Sequence, residues 1–213
     1  MNLLNTTVLI KGLKAIIPGG ISIQDFCAIA ETDKITAEKI LANFVKNDIG
    51  RFEDGIINFD AADRLKAAIL ALKNGAIIDE VAVHLDWRDF EGLVAKILET
   101  KGFSVIKNLT LTKPRMEIDV VGIKLGVAIL VDCKHWKRQS PSTLKNSVTK
   151  QIQRVKHYVS KTSGAIAVPV IVTLYHEQLR FIEKVPIVPI LQFSSFVDEL
   201  YGNLDQVNVI ETA

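Results

Sequence analysis

Two carboxylates and an amine stand on apolar segments that have no structural need for charge. Asp119 lies in the run Arg-Met-Glu-Ile-Asp-Val-Val-Gly, residues 115–122. Asp132 and Lys134 lie in Ala-Ile-Leu-Val-Asp-Cys-Lys, residues 128–134. Side chains alternate across a strand, so Leu130, Asp132 and Lys134 share one face and Ile129, Val131 and Cys133 the other. A hairpin would bring Asp119, at the end of the first strand, level with Asp132. A buried carboxylate is costly unless it is paired or binds a metal. Two carboxylates with a lysine therefore point to a divalent-cation site with a cationic neighbour. The alternative is a set of structural ion pairs joining Asp119 and Asp132 to Lys134 or Arg115. Glu117 reads as a surface charge and Cys133 as core.

These groups need a scaffold, and the second half of the chain supplies one. Asp86 caps a helix over 87–101 that Gly102 ends, with Phe90, Leu93, Val94, Ile97 and Leu98 inward and Glu91 flanking them. Strand-like runs follow at 103–112, 116–121 and 127–135. Pro141 opens a long helix to Lys161. Gln151 falls between Val148 and Val155 and points toward the sheet, while Lys145, Lys150, Arg154, His157 and Lys161 form the exposed side. Residues 165–173 are continuously apolar, as in a strand buried on both faces. A helix near 176–183, a strand at 187–191, a helix near 195–201 and an edge strand at 207–210 complete the expected order.

The first half reads as helices with one small hairpin. An apolar helix over 3–17 stops at Pro18-Gly19-Gly20. Ser22 caps a helix to about Glu31, and Thr36 caps another over 37–47. Asp54-Gly55 between short apolar runs signals a two-residue turn. Asp60 caps a fourth helix over 61–73, and residues 76–85 form a short linker helix.

Charge is unevenly spread. The net formal charge is +2, but residues 1–85 hold 9 basic and 11 acidic residues, and residues 86–213 hold 17 and 13. From Cys133 to His176 there is no acidic residue, while Lys134, Lys137, Arg138, Lys145, Lys150, Arg154, Lys156 and Lys161 all fall there. Such a one-sign field attracts polyanions. The four histidines lack metal-ligand spacing, so zinc is not expected. Cys27 and Cys133 imply no disulfide framework, which suits a reducing, cytoplasmic setting. No apolar run reaches the ~20 residues a membrane helix needs.

The order of helix, three strands, helix and strand, with Glu91, Asp119, Asp132-Cys133-Lys134 and Gln151 placed along it, resembles the PD-(D/E)xK nuclease superfamily. Within it the likeness is to the Mrr-like restriction endonuclease catalytic domain. The matching pieces are Phe90-Glu91, Leu98 to Phe103, Ile118-Asp119-Val-Val-Gly122 and Val131 to Trp136. Asp132 stands where such domains often carry Gln or Glu, and Ile118 stands where the superfamily's proline would be. The resemblance implies an α/β (α+β) fold with a mixed sheet flanked by helices over 86–213. The order of elements over 1–75 resembles a winged helix-turn-helix domain.

It further implies a metal-dependent DNA endonuclease of restriction type. Mg²⁺ or Mn²⁺ would be held by Asp119, Asp132, the Cys133 carbonyl and Glu91. Lys134 would act on the attacking water, and Gln151 would orient water or phosphate. Lys137, Arg138, Lys145, Lys150 and Arg154 would grip DNA, with Lys39, Asn43 and Lys46 of the third helix as a second contact. No small-molecule cofactor is expected, and one centre per chain suggests a homodimer. The other readings are a structure-specific, junction-type nuclease and a non-catalytic winged-helix DNA-binding protein with a degenerate nuclease fold.

Overall fold

The computed structural model describes residues 6–60, 62–77, 80–81, 83–134, 140–173 and 179–212. The chain divides into two compact units, Met1–Asp89 and Phe90–Ala213.

The first unit runs α1 (Thr6–Lys14), β1 (Gly19–Ser22), α2 (Ile23–Ile29), α3 (Lys34–Lys46), β2 (Arg51–Glu53), β3 (Ile56–Phe59) and α4 (Asp63–Lys73). Its core joins Leu9 and Leu13 of α1 to Phe26, Ile40, Phe44, Ile57 and Ala67. The Ser22 hydroxyl accepts from the Asp25 N–H, as the sequence suggested. Helix α3 starts earlier than expected. Asp33 is its cap, accepting from the Thr36 N–H at 2.9 Å and the Thr36 hydroxyl at 2.6 Å, so Thr36 is the capped residue.

Asp54 and Gly55 both have positive φ and close the β2–β3 hairpin. The segment read as a stop at Gly19-Gly20 instead forms β1, which extends the hairpin to a three-stranded antiparallel sheet, β1-β3-β2. Asp60 does not cap α4. The buried Asp63 carboxylate accepts from the N–H groups of Asp60 and Gly50 and pairs with Lys66 at 2.6 Å, tying the hairpin to the helix. Of the expected linker helix, residues 78, 79 and 82 lie outside the described residues. Val81 and Leu85 belong to this unit's core.

The second unit is a mixed sheet with helices on it. Its elements are α5 (Trp87–Thr100), which begins in the first unit, then β4 (Ser104–Leu111), β5 (Met116–Lys124), β6 (Val127–Lys134), α6 (Pro141–Lys161), β7 (Ile166–Thr173), β8 (Arg180–Ile182), β9 (Val185–Pro189), α7 (Ile190–Glu199), a 3₁₀ turn (Leu200–Gln206) and β10 (Ile210–Glu211). The strand order is β4-β5-β6-β7-β9-β8, with β10 on β7. Strands β4, β5 and β6 form an antiparallel meander, and β6, β7 and β9 run parallel. The two central strands, β6 and β7, are almost wholly buried and read as apolar runs, broken in β6 by Asp132 and Lys134, as parallel strands covered on both faces do. Pro169 of β7 lies between the β10 and β9 pairings, where that edge carries no paired strand.

The C-terminal third departs from expectation. Residues 180–182 form a strand where a helix was expected, because Glu183 and Lys184 both take positive φ and make a tight turn into β9. Neither residue type advertises such a turn. The expected strand at 187–191 is β9 at 185–189. Pro189 then caps α7, which starts five residues before the expected helix at 195–201.

Two contacts seat the helices that flank the site. A Cβ on Gly122 would come within 3.0 Å of Leu98 and 3.2 Å of Phe103, so a larger residue would require these side chains to give by a few tenths of an ångström where α5 lies on β5. On α6, Val155, Tyr158 and Val159 pack on Val121, Ala128 and Leu130. No described helix is long and apolar enough to cross a membrane.

Candidate active site

The β5–β6 ladder ends at the pair Val120 and Val131, one step before Asp119 and Asp132. Beyond that point β6 continues through Lys134 on β7 alone. The strands part there, and the Cys133 N–H would lose a ladder partner. The Asp119 carboxylate replaces it, accepting from Cys133 N at 2.7 Å. This split places both acids of the expected pair at one edge.

Asp132 is 2% exposed. Its Oδ1 accepts from Lys134 Nζ at 2.9 Å and from Arg154 Nη1 at 2.8 Å. Lys134 Nζ is also 2.8 Å from Oδ2, but no donor among the described residues is aligned on that buried oxygen. The ion pair between Asp132 and Lys134, weighed above as a purely structural alternative, is therefore present, while Arg115 pairs with exposed Glu117 at 2.8 Å. Burial raises the Asp119 pKa above its ordinary value. The Cys133 hydrogen bond opposes the rise, and the Asp132 charge adds to it. Lys134 and Arg154 act on Asp119 as well, so all four charges share one field.

Glu91 is buried on α5. The Cys133 thiol is pushed well up by burial first, then by Asp119, Glu91 and Asp132, which places Glu91 within electrostatic reach of the same point.

Gln151 is fully buried on α6 and faces the sheet, as its spacing indicated. Its Nε2 donates to the Leu130 carbonyl at 2.7 Å, and its Oε1 accepts from Arg154 at 3.3 Å. Both ends of the amide are engaged, so here it anchors helix to strand and holds Arg154. Arg154 corrects the reading of α6. It was placed on the exposed basic side, yet it reaches Asp132 with a quarter of its side chain exposed. The i to i+3 spacing from Gln151 carried that signal.

Lys145 and Lys150 are exposed on α6. Lys137 and Arg138 lie outside the described residues. Lys39, Asn43 and Lys46 all lie on α3 in the other unit, with both lysines exposed. A groove of about 390 Å³ beside the acids is lined by Arg115, Met116, Glu117, Lys150, Gln153 and Arg154.

The oxygen donors suit a hard divalent cation. Among the described residues no group of three or more His, Cys, Asp or Glu side chains forms a ready metal cluster. Mg²⁺, however, is commonly held by one or two carboxylates with waters. The buried Asp132 Oδ2 without an aligned donor, beside a second carboxylate whose ionisation is opposed, fits that requirement.

Residues 82–174 match the restriction endonuclease family model of Mrr catalytic type. Residues 82–174 carry the domain of this family. The mixed sheet flanked by helices is accordingly a restriction-endonuclease-like fold, and the match supports a nuclease. An uncharacterised protein of Archaeoglobus fulgidus is 32% identical over 119 residues, covering 54% of this chain and 92% of that protein. Protein VC1899 from Vibrio cholerae aligns in structure with a TM-score of 0.42 at 14% identity, over 94% of this chain and 50% of that one. AF1548, a protein of unknown function, aligns at 0.31 and 19%, over 50% and 52%. The chain thus spans about half the length of these solved proteins.

Proposed function

We propose that this chain, which carries a domain of the restriction endonuclease family, is a metal-dependent DNA endonuclease. The observation that carries the reading is the split of β5 from β6, where Asp119 bridges to the Cys133 N–H and Asp132 holds the Lys134 amine. Asp119 and Asp132, with the Cys133 carbonyl, would hold Mg²⁺ or Mn²⁺, and Glu91 would position waters or a further ion. The ion, when bound, polarises the phosphoryl oxygen and acidifies water. Lys134 donates hydrogen bonds to the attacking water and to the charge that grows on the phosphoryl group. The water oxygen would bond to phosphorus as the bond to the leaving sugar oxygen breaks, the water's proton passing to solvent and the leaving oxygen taking a proton from solvent. Lys145, Lys150 and Arg154, together with Lys137 and Arg138, grip the backbone, so binding weakens steeply with salt.

The first unit is read as a winged-helix-like targeting domain. Lys39, Asn43 and Lys46 offer DNA contacts on α3. The same helix exposes Ile35 and Val45 and borders an apolar groove of about 400 Å³ formed with Ile23, Leu41 and Phe52, which favours docking on a partner. Cutting both strands with one centre per chain calls for a homodimer.

The test incubates supercoiled plasmid, linear duplex and four-way junctions with Mg²⁺ or Mn²⁺, comparing wild type with Asp132→Ala. Metal-dependent cutting of duplex that the substitution abolishes supports the reading. Cutting confined to junctions supports the structure-specific alternative. Salt-sensitive binding without cutting on any substrate supports a degenerate fold and overturns the enzyme.

A further inference from the structure

Arg154 occupies a place that neither a surface lysine nor a simple DNA contact explains. Its Nη1 donates to Asp132 Oδ1 at 2.8 Å and to Gln151 Oε1 at 3.3 Å, and Gln151 is itself fixed to the Leu130 carbonyl. The arginine is thus aimed at the buried acid by an amide anchored to the central strand. The residue also lines the groove that Arg115 and Lys150 share. The only acid lining that groove among the described residues is Glu117, already paired with Arg115.

Charge balance gives this position a consequence. Counted formally, the carboxylates of Asp119, Asp132 and Glu91 against the cations Lys134 and Arg154 leave a balance of −1. A divalent ion alone would leave an excess positive charge in a low-dielectric pocket, where such imbalance is expensive. A divalent ion together with one phosphodiester restores neutrality. A phosphate in the groove also offers a guanidinium the two-pronged acceptor it binds best.

Building on the nuclease reading above, we propose that Arg154 is a positioning residue that couples metal loading to DNA binding. Without DNA its guanidinium holds Asp132. A backbone phosphate entering the groove draws the guanidinium away and frees that carboxylate oxygen for the cation. The coupling is reciprocal, so the cation tightens DNA binding by the same factor that DNA tightens cation binding. The device keeps the site unloaded until substrate arrives.

The test measures Mn²⁺ affinity of the full chain by titration calorimetry, with and without a phosphorothioate duplex that resists hydrolysis. In wild type the duplex lowers the Mn²⁺ dissociation constant at least tenfold. Arg154→Met, which keeps the length and removes the charge, binds Mn²⁺ without DNA as tightly as wild type does with it, and the duplex then adds less than threefold. Arg154→Lys, which keeps the charge, retains at least part of the coupling. Equal wild-type affinity with and without duplex overturns the proposal, as does an Arg154→Met protein, folded by circular dichroism, that binds no tighter than wild type alone. Asp132→Asn separates this from failure of the site itself. If that variant loses Mn²⁺ binding while Arg154→Met behaves as wild type, the coupling is wrong and the metal site stands. If Asp132→Asn binds Mn²⁺ normally, both fall.

Discussion

Asp132→Asn isolates the charge on which the candidate site turns. The substitution keeps shape and burial but removes the negative charge between Lys134 and Arg154. Breaking a fully buried ion pair from one side costs ~3–5 kcal/mol. Here Lys134 and Arg154 keep 21% and 25% of their side chains exposed, so each can turn partly to water. The expected cost is therefore smaller, ~1–3 kcal/mol. Against a total stability of ~5–15 kcal/mol that is a sizeable share. At ~2–4 °C per kcal/mol for a chain of this size, the melting midpoint should fall by about 2–12 °C.

Because the chain has two units, a single global transition is the wrong readout. Amide exchange at residues 129–131 in the middle of β6 reports the sheet directly. The same measurement on Arg154→Met and on the double variant closes a cycle. Removing the arginine's charge as well should recover part of the loss, with a coupling of ~0.5–3 kcal/mol. DNA cleavage should be absent in Asp132→Asn and stay absent in the double variant, which separates chemistry from stability. Effects that add to within ~0.5 kcal/mol would show that Asp132 and Arg154 do not hold each other, and the account of the site would fail with them.

Two further outcomes follow from single groups. Thr173 ends β7 beside Lys134 in the ladder, is 3% exposed, and its hydroxyl finds no hydrogen-bond partner among the described residues. Thr173→Val removes that unmet donor at nearly constant volume and should stabilise by ~1 kcal/mol, read as a raised urea midpoint; a lowered midpoint would refute it. Asp119 has a folded pKa above its ordinary value, mainly from burial. Well below the ordinary carboxylate range both states are protonated and the group is neutral to stability. As pH rises past that range the unfolded chain ionises first, so stability falls until the folded pKa is passed, then levels off. Urea midpoints from about pH 4 to 7 should decline in wild type relative to Asp119→Asn, and a relative rise would contradict the burial argument.

Most of the second unit was legible because its signals are strong and local. Pro141 fixed the start of α6, where the structure adds a Ser140 cap, and the apolar runs over β6 and β7 could be little else than buried strands. The errors fell where the deciding interaction is not written in residue type. The turn at Glu183-Lys184 uses two residues that rarely take positive φ, so the strand before it looked like part of a helix. Helix α3 starts three residues earlier than its pattern suggested because Asp33 takes the cap position, and α4 has no side-chain cap at all, the Asp63 carboxylate turning back to the N–H groups of Asp60 and Gly50 instead. Strand β1 exists because β3 is there to pair with it, which no local pattern announces.

The acids of the site could be read from the strand pattern, since charge on an apolar strand demands a reason. Arg154 could not be read the same way. On a helix rich in lysine, one arginine looks like one more solvated cation, and Gln151 looks like a ligand in its own right. What distinguishes them is a chain of contacts in which the Leu130 carbonyl fixes the amide, the amide fixes the guanidinium, and the guanidinium meets Asp132. The first and last links cross from helix to strand, so the relay depends on the register between α6 and β6, which Val148, Val155 and Val159 set through packing. Hydrophobic seating of the helix thereby decides which cation faces the buried acid, and a shift of one residue along α6 would present Val155 there in place of Arg154.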